Sequence, residues 1–203
     1  KLIDVDPAFS QYIDAYTSGV ISKKNTIRLV LAADASTTHT LNENVKETLF
    51  EFSPAVAGEA YWIDARTIEF KPEKDLTPQQ LYEVNFKLGK VLHVPSKFSD
   101  FKFNVQVVKP SFEVNEYGLR SNNKEAMSLS GVLLTADVEE SPKIEQLLTA
   151  SLNGTAMKIN WQHNESNKEH QFVINNVPRA NNAQKLLLQW KGDALNIDEK
   201  GEK

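Results

Sequence analysis

The chain contains no cysteine. Disulfides, thiolate nucleophiles and cysteine-type zinc sites are thereby excluded together. Glycine is also scarce, with 8 residues in 203. No glycine-rich phosphate loop, no Gly-x-Ser-x-Gly elbow and no EF-hand loop can be found. No stretch of apolar residues is long enough to span a bilayer as a helix, and Lys1–Ser10 lacks the basic and apolar regions of a secretory signal. A soluble chain without direct membrane insertion is expected. The 23 basic and 27 acidic side chains give a net charge of −4 and are spread along the whole length. Without a basic footprint, nucleic acid is not expected as a partner.

What the sequence does have is alternation. "TIRLVLAAD", "EAYWID", "RTIEFKP", "LYEVNFKLG", "FKFNVQVVK", "MSLSGVLLTAD", "TAMKINWQH", "HQFVINNV" and "KLLLQW" are short, alternating or apolar, and separated by turn residues. In "FKFNVQVV", period two sends Phe101, Phe103, Val105 and Val107 to one face and Lys102, Asn104 and Gln106 to the other. One dry and one wet face point to antiparallel sandwiches rather than a doubly wound parallel sheet. Two segments read as helical turns. "SPKIEQLL" offers Ser141 as N-cap and Pro142 at the first helical position, and "NENVKETLF" offers Asn44 as cap. Asn153-Gly154 reads as a two-residue hairpin turn.

Pro110 follows a completed strand and cannot donate to a ladder, so "VVKPSF" marks the boundary between a domain over 1–109 and a second over 110–203. The two halves repeat one element order. "LVLAAD" at 29–34 matches "VLLTAD" at 132–137, and Trp62 falls opposite Trp161. Further on, Ile68, Phe70, Tyr82 and Phe86 fall opposite Phe172, Ile174, Leu186 and Trp190. The fold expected is therefore all-β, with two tandem Ig-like or macroglobulin-like antiparallel sandwiches.

Groupings that could carry chemistry are few. His163 and His170, with Glu165 and Glu169 between, could be imagined as a metal cluster, but "HNESNKEH" reads as the solvated polar loop of a hairpin. His39 and His93 stand alone. Asp64 and Glu69 flank a turn rather than a cleft, and Glu139 and Glu140 read as solvating charge near a helix N-terminus. Tyr61 and Trp62 are strand neighbours, so one points in and the other out. An outward Tyr61 could serve as a ligand or sugar platform, and Trp161 and Trp190 read as core. No catalytic, cofactor-binding or metal residue is assigned, no cofactor is expected, and the chain is read as no enzyme.

"FSPAVAGEAYWIDARTIEFKPEKDLTPQQLYEV" resembles an N-terminal Ig-like domain of bacterial alpha-2-macroglobulins of the Bacteroides type. The resemblance is carried by Phe52, Ser53, Pro54, Val56, Gly58, Trp62, Ile68, Phe70, Pro72, Leu76, Pro78, Tyr82 and Val84. The second half, from "LTADVEESPKIEQLL" to "VINNVPR", resembles the domain that follows it in that family. The resemblance implies a large, lipid-anchored periplasmic or cell-envelope protein that traps host or competitor proteases. Its anchoring cysteine would lie upstream of Lys1. A Cys-x-Glu-Gln thioester, where relatives have one, would lie outside these residues, since the chain holds no cysteine. The fragment would act as scaffold, contacting neighbouring domains of a monomeric parent chain. The rival expectation is a tandem Ig-like binding module of a surface adhesin or glycan-binding protein, with Tyr61 or Trp62 as its platform.

Overall fold

The computed structural model describes residues 2–203. It divides into two compact units, Lys1–Val108 and Lys109–Lys203, and each is taken by itself.

The first unit holds β1 (Ile13–Tyr16), β2 (Gly19–Ile21), β3 (Ile27–Leu31), β4 (Phe50–Ser53), β5 (Gly58–Trp62), β6 (Thr67–Pro72), β7 (Leu81–Phe86) and β8 (Phe101–Val107). They form two sheets, ordered β1-β3-β6-β5 and β2-β8-β7-β4. The alternation read in "FKFNVQVV" is observed, with Phe101, Phe103, Val105 and Val107 buried and the residues between them turned outward. Ile27, Leu29 and Leu31 of β3 and Ile68 and Phe70 of β6 meet them in one core. Each such fully buried side chain contributes about 1.5–3 kcal/mol relative to exposure. One pairing departs from the antiparallel expectation: β2 runs parallel to β8, with Ile21 opposite Val107.

The second unit holds β9 (Phe112–Ser121), β10 (Ala126–Thr135), the single helical turn α1 (Ser141–Glu145), β11 (Leu148–Leu152), β12 (Thr155–Met157), β13 (Asn160–Asn164), β14 (Glu169–Pro178), β15 (Leu186–Lys191) and β16 (Lys200–Glu202). Its sheets are ordered β13-β14-β10-β9 and β12-β11-β15-β16. With β2 and β12 set aside, both units have one plan. The first, second, fifth and fourth strands form one sheet, and the third, sixth and seventh form the other. This is the division of an Ig-like constant-type sandwich. The register agrees with the internal alignment: Trp62 pairs with Ile68, and Trp161 pairs with Phe172.

Local expectations fare unevenly. Asn153 and Gly154 turn between β11 and β12 with φ of 49° and 83°, the left-handed pair that the hairpin needs. "TAMKINWQH" is not one strand: it breaks after Met157, so that β12 joins one sheet and β13 the other. "NENVKETLF" forms no helix. Instead, the Asn42 amide donates to the Trp62 carbonyl and the Val45 amide to the Ala60 carbonyl, covering the free edge of β5. An uncovered edge strand would template pairing with other chains, and this strap blunts it. A 3₁₀ turn over Pro7–Gln11, capped by the Asp6 carboxylate on the Ala8 amide, completes the first unit.

Candidate functional site

Two places gather polar and aromatic groups. The first lies in the long connection between β3 and β4. Trp62, at the end of β5, is 1% exposed, and the His39 ring stacks on it at 4.0 Å and 8°. Thr37 Oγ1 sits 3.0 Å from His39 Nε2. Thr37, His39, Asn44, Lys46, Trp62 and Lys90 border a shallow recess of about 430 Å³. His39 thus has a partner that sequence alone did not give it. The neighbouring Tyr61 is half-buried, as its place beside an inward Trp62 requires, and its hydroxyl donates to the Glu59 carboxylate. That engagement raises the phenol's pKa, through the hydrogen bond first and burial second, and it ties down the group a sugar platform would present. His93 sits apart from this stack, with its amide donating to Ser36 Oγ.

Asp64 and Glu69 do separate work. One Asp64 oxygen accepts from the amides of Arg66 and Thr67 at 2.8 Å, and the other accepts from the Thr67 hydroxyl at 2.9 Å. Glu69 accepts from Arg28 across the β3–β6 pair at 2.5 and 2.9 Å. The donors on Asp64 hold its carboxyl below the usual carboxylate value, the Arg66 amide most of all, followed by the Thr67 hydroxyl. A depressed folded pKa means stability that is present above the unfolded value and lost as pH falls through the folded one. Asp64→Asn is therefore expected to flatten the acid limb of the stability profile below about pH 4. Denaturant midpoints measured from pH 6 to pH 2.5 check this; an unchanged slope would count against the turn's role.

The second place is the β13–β14 hairpin. His163 and His170 are directly paired across it, with Nδ1 to Nδ1 at 2.9 Å. His163 Nε2 lies 3.2 Å from Glu145 Oε1 on α1, and the His163 ring stacks on Trp161. His170 is 0% exposed, so the reading of "HNESNKEH" as a wholly solvated loop is corrected. The signal was present: a hairpin turning at Ser166–Asn167 sets residue 163 opposite 170, and both then share one face. Burial, and secondarily His163, lower the His170 pKa, with Glu165 opposing. Among the described residues no group of three His, Cys, Asp or Glu side chains could hold a metal ion.

Glu165 is engaged elsewhere. Its Oε1 accepts from the Ser141 amide at 2.8 Å and from the Ser141 hydroxyl at 2.5 Å. Ser141 is thus the first residue of α1, with Glu140 in the cap position, and the carboxylate that satisfies the helix start comes from 24 residues away. The two donors hold Glu165 below its usual value, the hydroxyl first. Glu139 is buried rather than solvated, and Glu140 lies 3.8 Å from Lys143. Of the remaining aromatics, Trp161 and Trp190 are half-buried against the second unit's core.

No family model matches this chain, and no curated protein matches it. Solved structures do. L,D-transpeptidase 3 from Mycobacterium tuberculosis, in complex with a faropenem-derived adduct, is 10% identical with a TM-score of 0.34, over 61% of this chain and 46% of that one. An L,D-transpeptidase from Mycobacterium tuberculosis H37Rv is 10% identical with a TM-score of 0.35, over 77% of this chain and 61% of that one. The chain thus spans about half to three fifths of the structures it matches. These neighbours are enzymes, so the reading of the chain as no enzyme is withdrawn. A likeness this low assigns no activity to the chain, and none of its residues takes a role from it.

Proposed function

We propose that these residues are a scaffold segment of a bacterial alpha-2-macroglobulin-type protein, a protease-trapping inhibitor of the cell envelope. The observation that carries the reading is the Ig-like strand plan built twice in tandem, each time around a closed core. The residues shared with the family pattern have structural work in that plan. Trp62, Ile68, Phe70, Leu76, Tyr82 and Val84 are all buried, and the Tyr82 hydroxyl accepts from the Thr77 amide, fixing the turn before its own strand. Gly58 lies where a Cβ would meet the Phe70 ring at 2.6 Å. Such a pattern maintains sandwiches, and sandwiches in series hold a large assembly open. The parent would carry its lipid anchor upstream of Lys1 and meet host or competitor proteases through other regions.

The test uses the intact parent protein, purified from envelope fractions and incubated with a panel of endopeptidases. Capture of active protease in a complex that resists gel filtration is the expected result. A parent that captures no protease, yet binds glycans through this segment with loss on Tyr61→Ala, would replace this reading with the adhesin one.

A further inference from the structure

His163 and His170 meet through the same atom, Nδ1, at 2.9 Å. Such a contact needs one N–H and one lone pair. In the neutral pair the other contacts settle which is which. His163 Nε2 faces the Glu145 carboxylate and so carries its proton there, leaving Nδ1 to accept from His170 Nδ1–H. One added proton can be carried by His163, which then donates from both nitrogens, to Glu145 and to His170, provided that the His170 proton passes from Nδ1 to Nε2 and frees Nδ1 to accept. A second proton has no such place: it sets N–H against N–H, with His170 fully buried and its Nε2 without a partner among the described residues.

The groups around the pair are few. Glu145 faces it from α1 and Glu165 acts on it from the turn. Trp161 lies along the His163 ring, and Leu133 of β10, the cross-strand neighbour of His170, is apolar. Of these only the two carboxylates carry charge, and Glu165 is held by Ser141. The pair also has leverage. Through Glu145 it fastens α1, whose Ile144 is 0% exposed and which, with Leu147, closes one end of the core formed with Phe112, Leu133 and Leu195.

We propose that His163 and His170 form an acid-sensitive latch that fastens α1 to the β13–β14 hairpin, kept by one shared proton and released by a second. The direction follows from burial: an opened hairpin binds the second proton more readily than a closed one. The closed state is therefore favoured above the ordinary histidine value and loses ground as pH falls below it.

Long-range imidazole proton–nitrogen spectra of the 203-residue chain, recorded from pH 8 to pH 4 beside amide hydrogen exchange, test this. His170 should protonate only below 6.5, the ordinary value. Over that second step the Gln146 and Leu147 amides, which close the last turn of α1, should lose protection roughly tenfold after correction for intrinsic rates. His163→Gln can accept from a charged His170 and should abolish the step while leaving the pH 7.5 circular dichroism unchanged. Should that variant not fold, the wild-type titration decides alone. Protonation of His170 at or above 6.5, or α1 protection that persists throughout, overturns the latch.

Discussion

Trp62→Ala is expected to destabilise the first unit by about 3–5 kcal/mol, a large part of the 5–15 kcal/mol of a typical domain. The side chain is 1% exposed, pairs across strands with Ile68 and supports the stacked His39 ring. Its removal loses buried area, leaves a cavity under a sheet whose strands cannot close over it, and takes away the surface on which the β3–β4 connection rests. The indole nitrogen has no hydrogen-bond partner among the described residues, so Trp62→Phe should cost only about 1–2 kcal/mol. Denaturant titration of both variants, with hydrogen exchange at β3 and β6 to localise the loss, makes the comparison. Equal costs would mean that the indole N–H, rather than its volume, holds the site. Trp161→Ala, at the matching position but half-buried, should fall nearer 2 kcal/mol.

That Trp62 and Trp161 can be compared at all was legible in the sequence. Trp62 opposite Ile68 and Trp161 opposite Phe172 are the same hairpin pairing made twice, across connections of different length, and alternation along each strand sends the same positions inward. Asn153-Gly154 was legible because a local φ requirement has a local residue signature. The failures share the opposite cause. "NENVKETLF" has the spacing of a helical turn, but the free carbonyls at the edge of β5 took its amides instead. "TAMKINWQH" alternates continuously, and nothing in alternation says that a strand changes sheet at Lys158–Ile159.

The candidate sites show the same division more sharply. Ser141 has the residue type of an N-cap, yet its amide is satisfied by Glu165 from another element, which no window around Ser141 could reveal. His39 on Trp62 joins a loop residue to a strand residue by a fold that neither specifies alone. The His163–His170 pairing was within reach, since a hairpin register is local. The complete burial of His170 was not, because β10, which pairs Leu133 against it, comes from elsewhere in the chain.

Gly131→Ala carries the largest expected effect in the second unit, about 3 kcal/mol, for reasons of space alone. Gly131 lies in the middle of β10, directly opposite Phe172, beside the irregularity in the β9–β10 pairing. A Cβ there would run into the Asn115 carbonyl oxygen and into the Phe172 ring, whose Cε1 would stand only 2.8 Å from the added atom. The ring can be trimmed but the carbonyl cannot, because it belongs to the neighbouring strand's backbone. Adding Phe172→Leu should therefore recover only part of the loss, with a coupling energy of about 1 kcal/mol between the two sites. Gly118 provides the contrast. Nothing lies within 4 Å of its built Cβ, but its φ of +81° is left-handed, so Gly118→Ala should cost only about 1–2 kcal/mol. Midpoints from chemical denaturation of the four variants measure all of this. Full rescue by Phe172→Leu would show that β9 yields, and that the Asn115 carbonyl is not the obstacle the geometry makes it.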